Sequence, residues 1–183
     1  LQRGDQIIEI GTGWGGFAIH AAKHYDCHVT TTTISDHQFD LANSRIQEAG
    51  LGDRITLLKQ DYRNLSGRFD KLVSIEMIEA VGYRYFQTFL GKCSELLKDN
   101  GLMLIQAITI NDRQYLRARD EVDFIKRYIF PGSCIPAILP LIEASTRRTD
   151  LQLVYLRDIG QHYAKTLRLW RERFLARRDD VLA

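Results

Sequence analysis

Glu9-Ile10-Gly11-Thr12-Gly13-Trp14-Gly15-Gly16 is the stretch that decides how the rest of the chain is read. The short apolar run Gln6-Ile7-Ile8-Glu9-Ile10 leads into it and reads as a buried strand. Gly16 to His24 leaves it as a helix. Glycines between a strand and a helix let the backbone approach a ligand closely, and the helix N-terminus adds amide donors. A plain strand-to-helix turn is the alternative, and it does not call for four glycines in six positions.

Two ligand classes fit the loop. Gly11, Gly13 and Gly16 match the dinucleotide fingerprint G-x-G-x-x-G. Gly11, Gly13 and Gly15, preceded by Glu9, match the E-x-G-x-G-x-G pattern of S-adenosylmethionine-dependent methyltransferases. A nicotinamide-binding fold wants an acid at the end of its second strand to hold the ribose hydroxyls. Here that end is Thr30-Thr31-Thr32-Thr33-Ile34-Ser35, without an acid, which favours the second class.

Outward from the loop, strands and helices alternate. Cys27 to Thr33, Arg54 to Lys59 and Phe69 to Ile75 read as strands. Ser35-Asp36 supplies cap chemistry for a helix to about Ala49, which Gly50 ends. Tyr85 to Leu97 reads as a helix with Phe86, Phe89, Leu90, Cys93 and Leu97 on one stripe, closed by Asn100-Gly101. Leu102 to Thr109 is the next strand. This alternation predicts an α/β, doubly wound, mostly parallel sheet. Farther on, Asn111 to Tyr128 and Ala137 to Thr146 read as helices, Leu151 to Leu156 as a strand, and Tyr163 to Arg177 as a long helix. No linker divides the 183 residues, so a single domain is expected over 1–183.

Composition is that of an ordinary globular protein, 45% apolar and 26% charged with a net charge of +2. No apolar run reaches the ~18 residues of a membrane span. The opening Leu1-Gln2-Arg3-Gly4-Asp5 lacks the apolar stretch of a signal peptide, so a cytoplasmic protein is the default expectation. Cys27, Cys93 and Cys134 have no metal-ligand spacing, and the His20, His24, His28 series breaks at a strand, so no metal site is expected. Lys165, Arg168, Arg171, Arg173, Arg177 and Arg178 are offset only by Glu172. That excess suits an anionic surface, or is a solvated helix face. Gln60-Asp61-Tyr62-Arg63 follows the third strand, where a carboxylate beside an aromatic ring can hold an adenine; a turn with a surface tyrosine is the alternative.

Several motifs resemble one family, the cyclopropane-fatty-acid and mycolic acid cyclopropane synthases. Gly11-Thr12-Gly13-Trp14-Gly15-Gly16 resembles its G-C-G-W-G-G loop, and Thr33-Ile34-Ser35-Asp36-His37-Gln38 its T-x-S-x-x-Q segment. Glu76-Met77-Ile78-Glu79-Ala80-Val81-Gly82 resembles the E-[HA]-[VF]-G segment. Phe124 to Gly132 resembles F-I-x-x-Y-I-F-P-G, and His162 to Trp170 resembles H-Y-x-x-T-L-x-x-W. The last two are specific, since ordinary methyltransferases lack them.

The resemblance implies a class I methyltransferase (Rossmann-like) fold and an enzyme that passes a methylene group from S-adenosylmethionine to a cis double bond of an unsaturated phospholipid acyl chain. The alkene attacks the sulfonium methyl, and the resulting cation closes to a ring on losing a proton to a bound bicarbonate. Carried over residue by residue, Gly11, Gly13, Gly15, Thr33, Gln38, Asp61, Tyr62 and Arg63 contact the donor. Glu79, Ile108 through its backbone, and Tyr163 hold the base. Gln106 stands where the family often has histidine.

The resemblance further implies peripheral contact with an anionic membrane and no nucleic acid partner, and leaves oligomeric state open. It also implies a chain truncated at both ends, lacking a helical lid before Leu1 and a final strand after Ala183. The rivals are a methyl- or methylene-branching enzyme, a small-molecule methyltransferase, a nicotinamide-dependent oxidoreductase and a non-catalytic donor-binding module.

Overall fold

Strand β1 (Gln6–Ile10) is the centre of the fold, and the reason lies in its sequence: Ile7, Ile8 and Ile10 are all fully buried. In the computed structural model, which describes residues 1–182, β1 pairs in parallel with β2 (His28–Thr33) on one side and β4 (Phe69–Ile75) on the other. Strand β3 (Ile55–Lys59) flanks β2, and β5 (Leu97–Gln106) flanks β4. The order β3-β2-β1-β4-β5, parallel throughout, is that of a doubly wound sheet whose direction of winding reverses beside β1.

Alternation along β1 divides the core. Ile7 packs with Val29, Ile55 and Val73 under α1 (Gly16–Tyr25) and α2 (Asp36–Glu48), through Ala18, Ala21, Ala22 and Ile46. Ile8 and Ile10 pack on the opposite face with Leu72 and with α3 (Ile78–Val81) and α4 (Phe86–Leu96), through Ile78, Phe86, Phe89, Leu90, Cys93 and Leu96. Each large apolar side chain buried this way contributes roughly 1.5–3 kcal/mol. Helix α2 starts where expected: the Ser35 side chain accepts from the Gln38 amide.

Four expectations need correction. Helix α4 gives way to β5 directly at Leu97, and Asn100-Gly101 lies inside the strand. The ladder jumps from Phe69↔Leu97 to Lys71↔Leu102, so the intervening residues form a bulge. A Cβ on Gly101 would lie 2.8 Å from Leu97 Cδ2 and 2.9 Å from the Lys98 carbonyl oxygen, so only glycine fits that bend. The strand also stops at Gln106, short of Thr109.

The expected helix Asn111 to Tyr128 is two pieces. Helix α5 (Asp112–Asp120) starts under the Asn111 cap, and a π-turn covers Ile125–Ile129. Lys126 Nζ reaches back to the carbonyl oxygens of Ala118, Arg119 (3.3 Å) and Glu121 (2.9 Å), closing the C-terminal end of α5. Helix α6 (Ile138–Arg148) follows, with Ala144 in the core beside α4.

Leu151 to Leu156 is not a strand. Its β-branched and aromatic residues favour extended backbone, but a strand exists only through ladder hydrogen bonds, and this stretch makes none among the described residues. The chain divides into two compact units, Leu1–Leu151 and a second that begins at Gln152. In the second, α7 (Gly160–Ala176) and α8 (Arg178–Leu182) carry no buried residue, and Trp170 and Phe174 are about half exposed. No helix of the described residues is long and apolar enough to cross a membrane.

Candidate active site

The glycine loop crosses the C-terminal end of β1, the position where open α/β sheets receive ligands. Its glycines do different work. A Cβ on Gly11 would meet Met77 Cγ at a tight 3.1 Å, whereas one on Gly15 would meet Ala42 Cβ at an ordinary 3.4 Å, so Gly15 is required by its left-handed backbone, φ +82°. Gly13 has φ +52° and nothing within 4 Å of its Cβ position, so it faces open space. The Gly11 and Thr12 amides do not point there: both donate to the Thr32 carbonyl, at 3.2 and 2.9 Å.

Beneath the loop lies a polar chain. Thr31 Oγ1 donates to Glu9 Oε2 at 2.6 Å, and Thr12 Oγ1 is 2.7 Å from Thr31 Oγ1. Glu9, Thr31 and Thr12 are all buried. Burial pushes the Glu9 carboxyl up to about 8, against the opposing pull of the Thr31 bond.

At the end of β2, Thr33 Oγ1 donates to Gln38 Oε1 at 2.8 Å and accepts from the Ser35 amide at 3.1 Å. Two of the expected donor contacts are therefore brought together. After β3, Asp61 caps a 3-10 turn (Tyr62–Asn64) and is clasped by Arg63, whose Nε and Nη2 donate to Oδ1 and Oδ2 at 2.9 and 2.7 Å. The side-chain bonds from Arg63 hold the Asp61 carboxyl below its ordinary value. Tyr62 is half-buried, its ring edge-on to Phe89 at 5.3 Å.

Across the switch point, the turn after β4 places Glu79 in α3. Glu79 Oε1 accepts from the Ile108 amide at 2.6 Å, and Glu79 Oε2 is buried with no hydrogen-bond partner. Burial raises the Glu79 carboxyl above its ordinary value; its backbone bonds pull the other way, and the nearby Glu76 adds to the rise. Gln106 ends β5, and its Nε2 donates to Glu76 Oε1 at 3.1 Å. The structure thus joins Glu79 to Ile108 and sets Gln106 beside Glu76. The Ile108 amide serves Glu79 itself, where a direct bond from it to the bound base was expected. Tyr163 belongs to α7 in the second unit, its ring edge-on to Trp170 at 6.1 Å.

Sequence reasoning passed over Glu76 and the Glu9–Thr31–Thr12 chain as site residues. Glu76 has left-handed backbone, φ 49°, which is uncommon for a non-glycine residue and clusters at functional sites. No sequence signal reveals it. Glu9 did carry one: a lone acid in an otherwise apolar strand.

The family model described as mycolic acid cyclopropane synthetase matches residues 1–183. Tuberculostearic acid methyltransferase UfaA1 of Mycobacterium tuberculosis is 41% identical over 181 residues, covering 99% of this chain and 42% of that protein. The Escherichia coli cyclopropane-fatty-acyl-phospholipid synthase is 34% identical over 177 residues, covering 96% of this chain and 44% of its own length. This chain therefore spans less than half the length of these relatives. The crystal structure of mycolic acid cyclopropane synthase CmaA1 complexed with SAH and CTAB has a TM-score of 0.89 at 26% identity, covering all of this chain and 67% of that one. The sheet order and these neighbours make the fold that of the class I methyltransferases. From the first strand through α8, the chain belongs to the mycolic acid cyclopropane synthetase family.

Proposed function

We propose that the chain is the donor-binding and catalytic part of an enzyme that transfers a methylene group from S-adenosylmethionine to a cis double bond of an unsaturated phospholipid acyl chain, forming a cyclopropane ring. The observation that carries this reading is the Glu79 carboxyl: one oxygen is fixed by the Ile108 amide and the other is buried without a partner. A buried acceptor left unpaired costs about 1–3 kcal/mol, and its retention is explained by a ligand that donates to it. The hydroxyl of a bicarbonate fits that description.

In this reading Gly13 leaves the cradle open, and Thr33 with Gln38 orients the donor from the end of β2. Gly11 and Gly15 shape the loop, Gly11 by its tight approach to Met77 and Gly15 by its left-handed backbone. Asp61, pinned by Arg63, offers its remaining lone pairs to the adenine amine, with Tyr62 beside it. The sulfonium methyl of the donor is the electrophile, and bound bicarbonate supplies the base for the proton lost on ring closure. Glu79 Oε2 accepts the hydroxyl of that base, and the second N–H of Gln106 Nε2 donates to one of its oxygens.

The test uses the full-length protein, labelled S-adenosylmethionine and vesicles of unsaturated phospholipid, with fatty acids analysed by mass spectrometry. A gain of one methylene in ring form is expected. Donor binding without label in lipid would leave a non-catalytic module or another substrate. A second reading, a methyl or methylene branch in place of the ring, is kept because relatives named methyltransferase and relatives named cyclopropane synthase both match. Fragmentation of the product separates the two.

Arg168, Arg171, Arg177 and Arg178 are exposed and suit anionic headgroups, which supports a peripheral association of the enzyme with an anionic membrane. Reversing their charge is expected to weaken co-sedimentation with anionic vesicles at low salt. Unchanged binding would return them to a solvated helix face.

A further inference from the structure

Glu9 touches none of the expected donor contacts, yet it is 2% exposed and tied to the glycine loop through two hydroxyls. The Thr31 hydroxyl lies 2.6 Å from Glu9 Oε2 and 2.7 Å from the Thr12 hydroxyl, so it bridges the carboxyl to the loop. Thr12 sits in the loop itself, and its amide is also held, by the Thr32 carbonyl at 2.9 Å. The loop is therefore anchored to β2 by backbone and to β1 by a side-chain relay.

We propose that Glu9 is a positioning residue that works as a neutral carboxylic acid: through Thr31 and Thr12 it holds the glycine loop in the shape that admits the donor. This rests on the reading of that loop as the donor site.

The surroundings explain why the neutral form is the working one. Glu9 shares its face of β1 with Ile7 and lies over the apolar layer of Ala18, Ala21, Val29 and Val73. No ion pair involves Glu9 among the described residues. The ionisable groups on the elements packed here are His20, Lys23, His24 and Tyr25 of α1, Asp36, His37, Asp40, Arg45 and Glu48 of α2, His28 of β2, Asp70 and Lys71 of β4, and Lys59 of β3. All but Asp70 and Lys71 are exposed, and those two are only half-buried. A charge on Glu9 would thus be desolvated and unpaired, and the strand-to-loop junction would open to hydrate it.

The sign of the pH dependence follows. A carboxyl raised to about 8 in the fold contributes stability that is fully present below its ordinary value of 4.5 and is lost as pH rises towards 8. Donor affinity should hold through neutrality and fall above about pH 8 as Glu9 ionises.

Calorimetry of S-adenosylhomocysteine on the full-length protein, from pH 6 to pH 9 and with thermal melts of the ligand-free protein alongside, tests this. Glu9→Gln keeps a neutral, near-isosteric group, so it should match wild-type affinity at neutral pH and lack the alkaline loss. Thr31→Val cuts the relay and should weaken binding about tenfold at neutral pH. The melts should show wild-type stability declining between about pH 5 and pH 8 relative to Glu9→Gln. A Glu9→Gln protein that melts normally but binds tenfold more weakly, or keeps the alkaline loss, would overturn the proposal. Failure of the wild type to bind at any pH would instead sink the donor-site reading, and the melts would still judge Glu9.

Discussion

Glu9 and Glu79 are both carboxyl groups lifted by burial, one under the donor loop and one beside the end of β5, and they differ in what meets their oxygens. At Glu9 the Thr31 hydroxyl meets Oε2, and among the described residues no fully buried oxygen of Glu9 is left unpaired. At Glu79 the Ile108 amide meets only Oε1, while Oε2 is buried and unpaired. A fold has no reason to keep the second arrangement for its own sake, because an orphaned acceptor costs about 1–3 kcal/mol. The pair teaches that burial alone does not mark a reacting group. A satisfied buried acid holds structure, and an unsatisfied one is set for something that arrives.

The largest effect should come from breaking the Glu79 side of the comparison. Glu79→Gln in the full-length enzyme is expected to lower turnover by roughly 10²- to 10⁴-fold. Affinity for S-adenosylhomocysteine should change little, since the cradle proposed for the donor is at Gly13. The wild-type rate should also show an acid limb above the ordinary carboxyl value of 4.5, because the raised Glu79 must ionise to accept from the base. Its contribution to stability runs the opposite way, present at low pH and lost as pH rises through the raised value. A Gln variant that turns over normally, or keeps the same acid limb, would remove Glu79 from the reaction.

Next in size is Gly13→Val, which attacks the donor side alone. A β-branched residue at φ +52° costs about 1–3 kcal/mol in backbone strain and also stands in the open cradle. Binding of S-adenosylhomocysteine should weaken by about 100-fold by calorimetry, with the fold retained. Equal affinity would move the donor elsewhere. A smaller effect, roughly 10-fold in turnover, is expected for Gln106→Ala through one lost hydrogen bond. The Glu76 contact sharpens that test: Gln106→His should restore part of the rate and add a pH dependence, because imidazole beside a carboxylate titrates where an amide does not.

The two poles were unequally legible in the sequence. The donor pole is local: Gly11 to Gly16 follow one strand and open one helix, so β1, α1 and β2 can be read from consecutive residues. The Glu79–Ile108 bond spans 29 positions and exists only because β5 pairs with β4. A motif held Glu79 and the family resemblance carried over Ile108, but nothing local showed that the Ile108 amide serves Glu79. The β5 bulge has the same origin, since its register belongs to the strand beside it. Lys126 reads as one more cation on a helix until it folds back over the end of α5. Leu151 to Leu156 failed in the opposite direction: its composition favours a strand, but strand formation needs a neighbour that composition cannot supply.

The smallest effect should come from Arg63, and its size separates two roles for the Asp61 pair. The clasp is bidentate and the Arg63 amide adds a third bond to Asp61, yet the guanidinium stands in solvent. Exposed pairs gain little in water because screening and lost side-chain freedom offset the attraction. If Arg63 only orients Asp61, Arg63→Met leaves the carboxylate in place through the backbone bond, and affinity for S-adenosylhomocysteine should fall less than about threefold. If Arg63 itself touches the donor, the loss should exceed tenfold. The pH profile gives a second readout. Arg63 is the chief cause of the lowered Asp61 value, so the clasp's contribution is present at neutral pH and lost as pH falls through that lowered value. In Arg63→Met, donor binding should therefore weaken at a higher pH on acidification than in the wild type. A variant with unchanged acid behaviour and a tenfold loss would make Arg63 a direct contact and leave Asp61 as its partner.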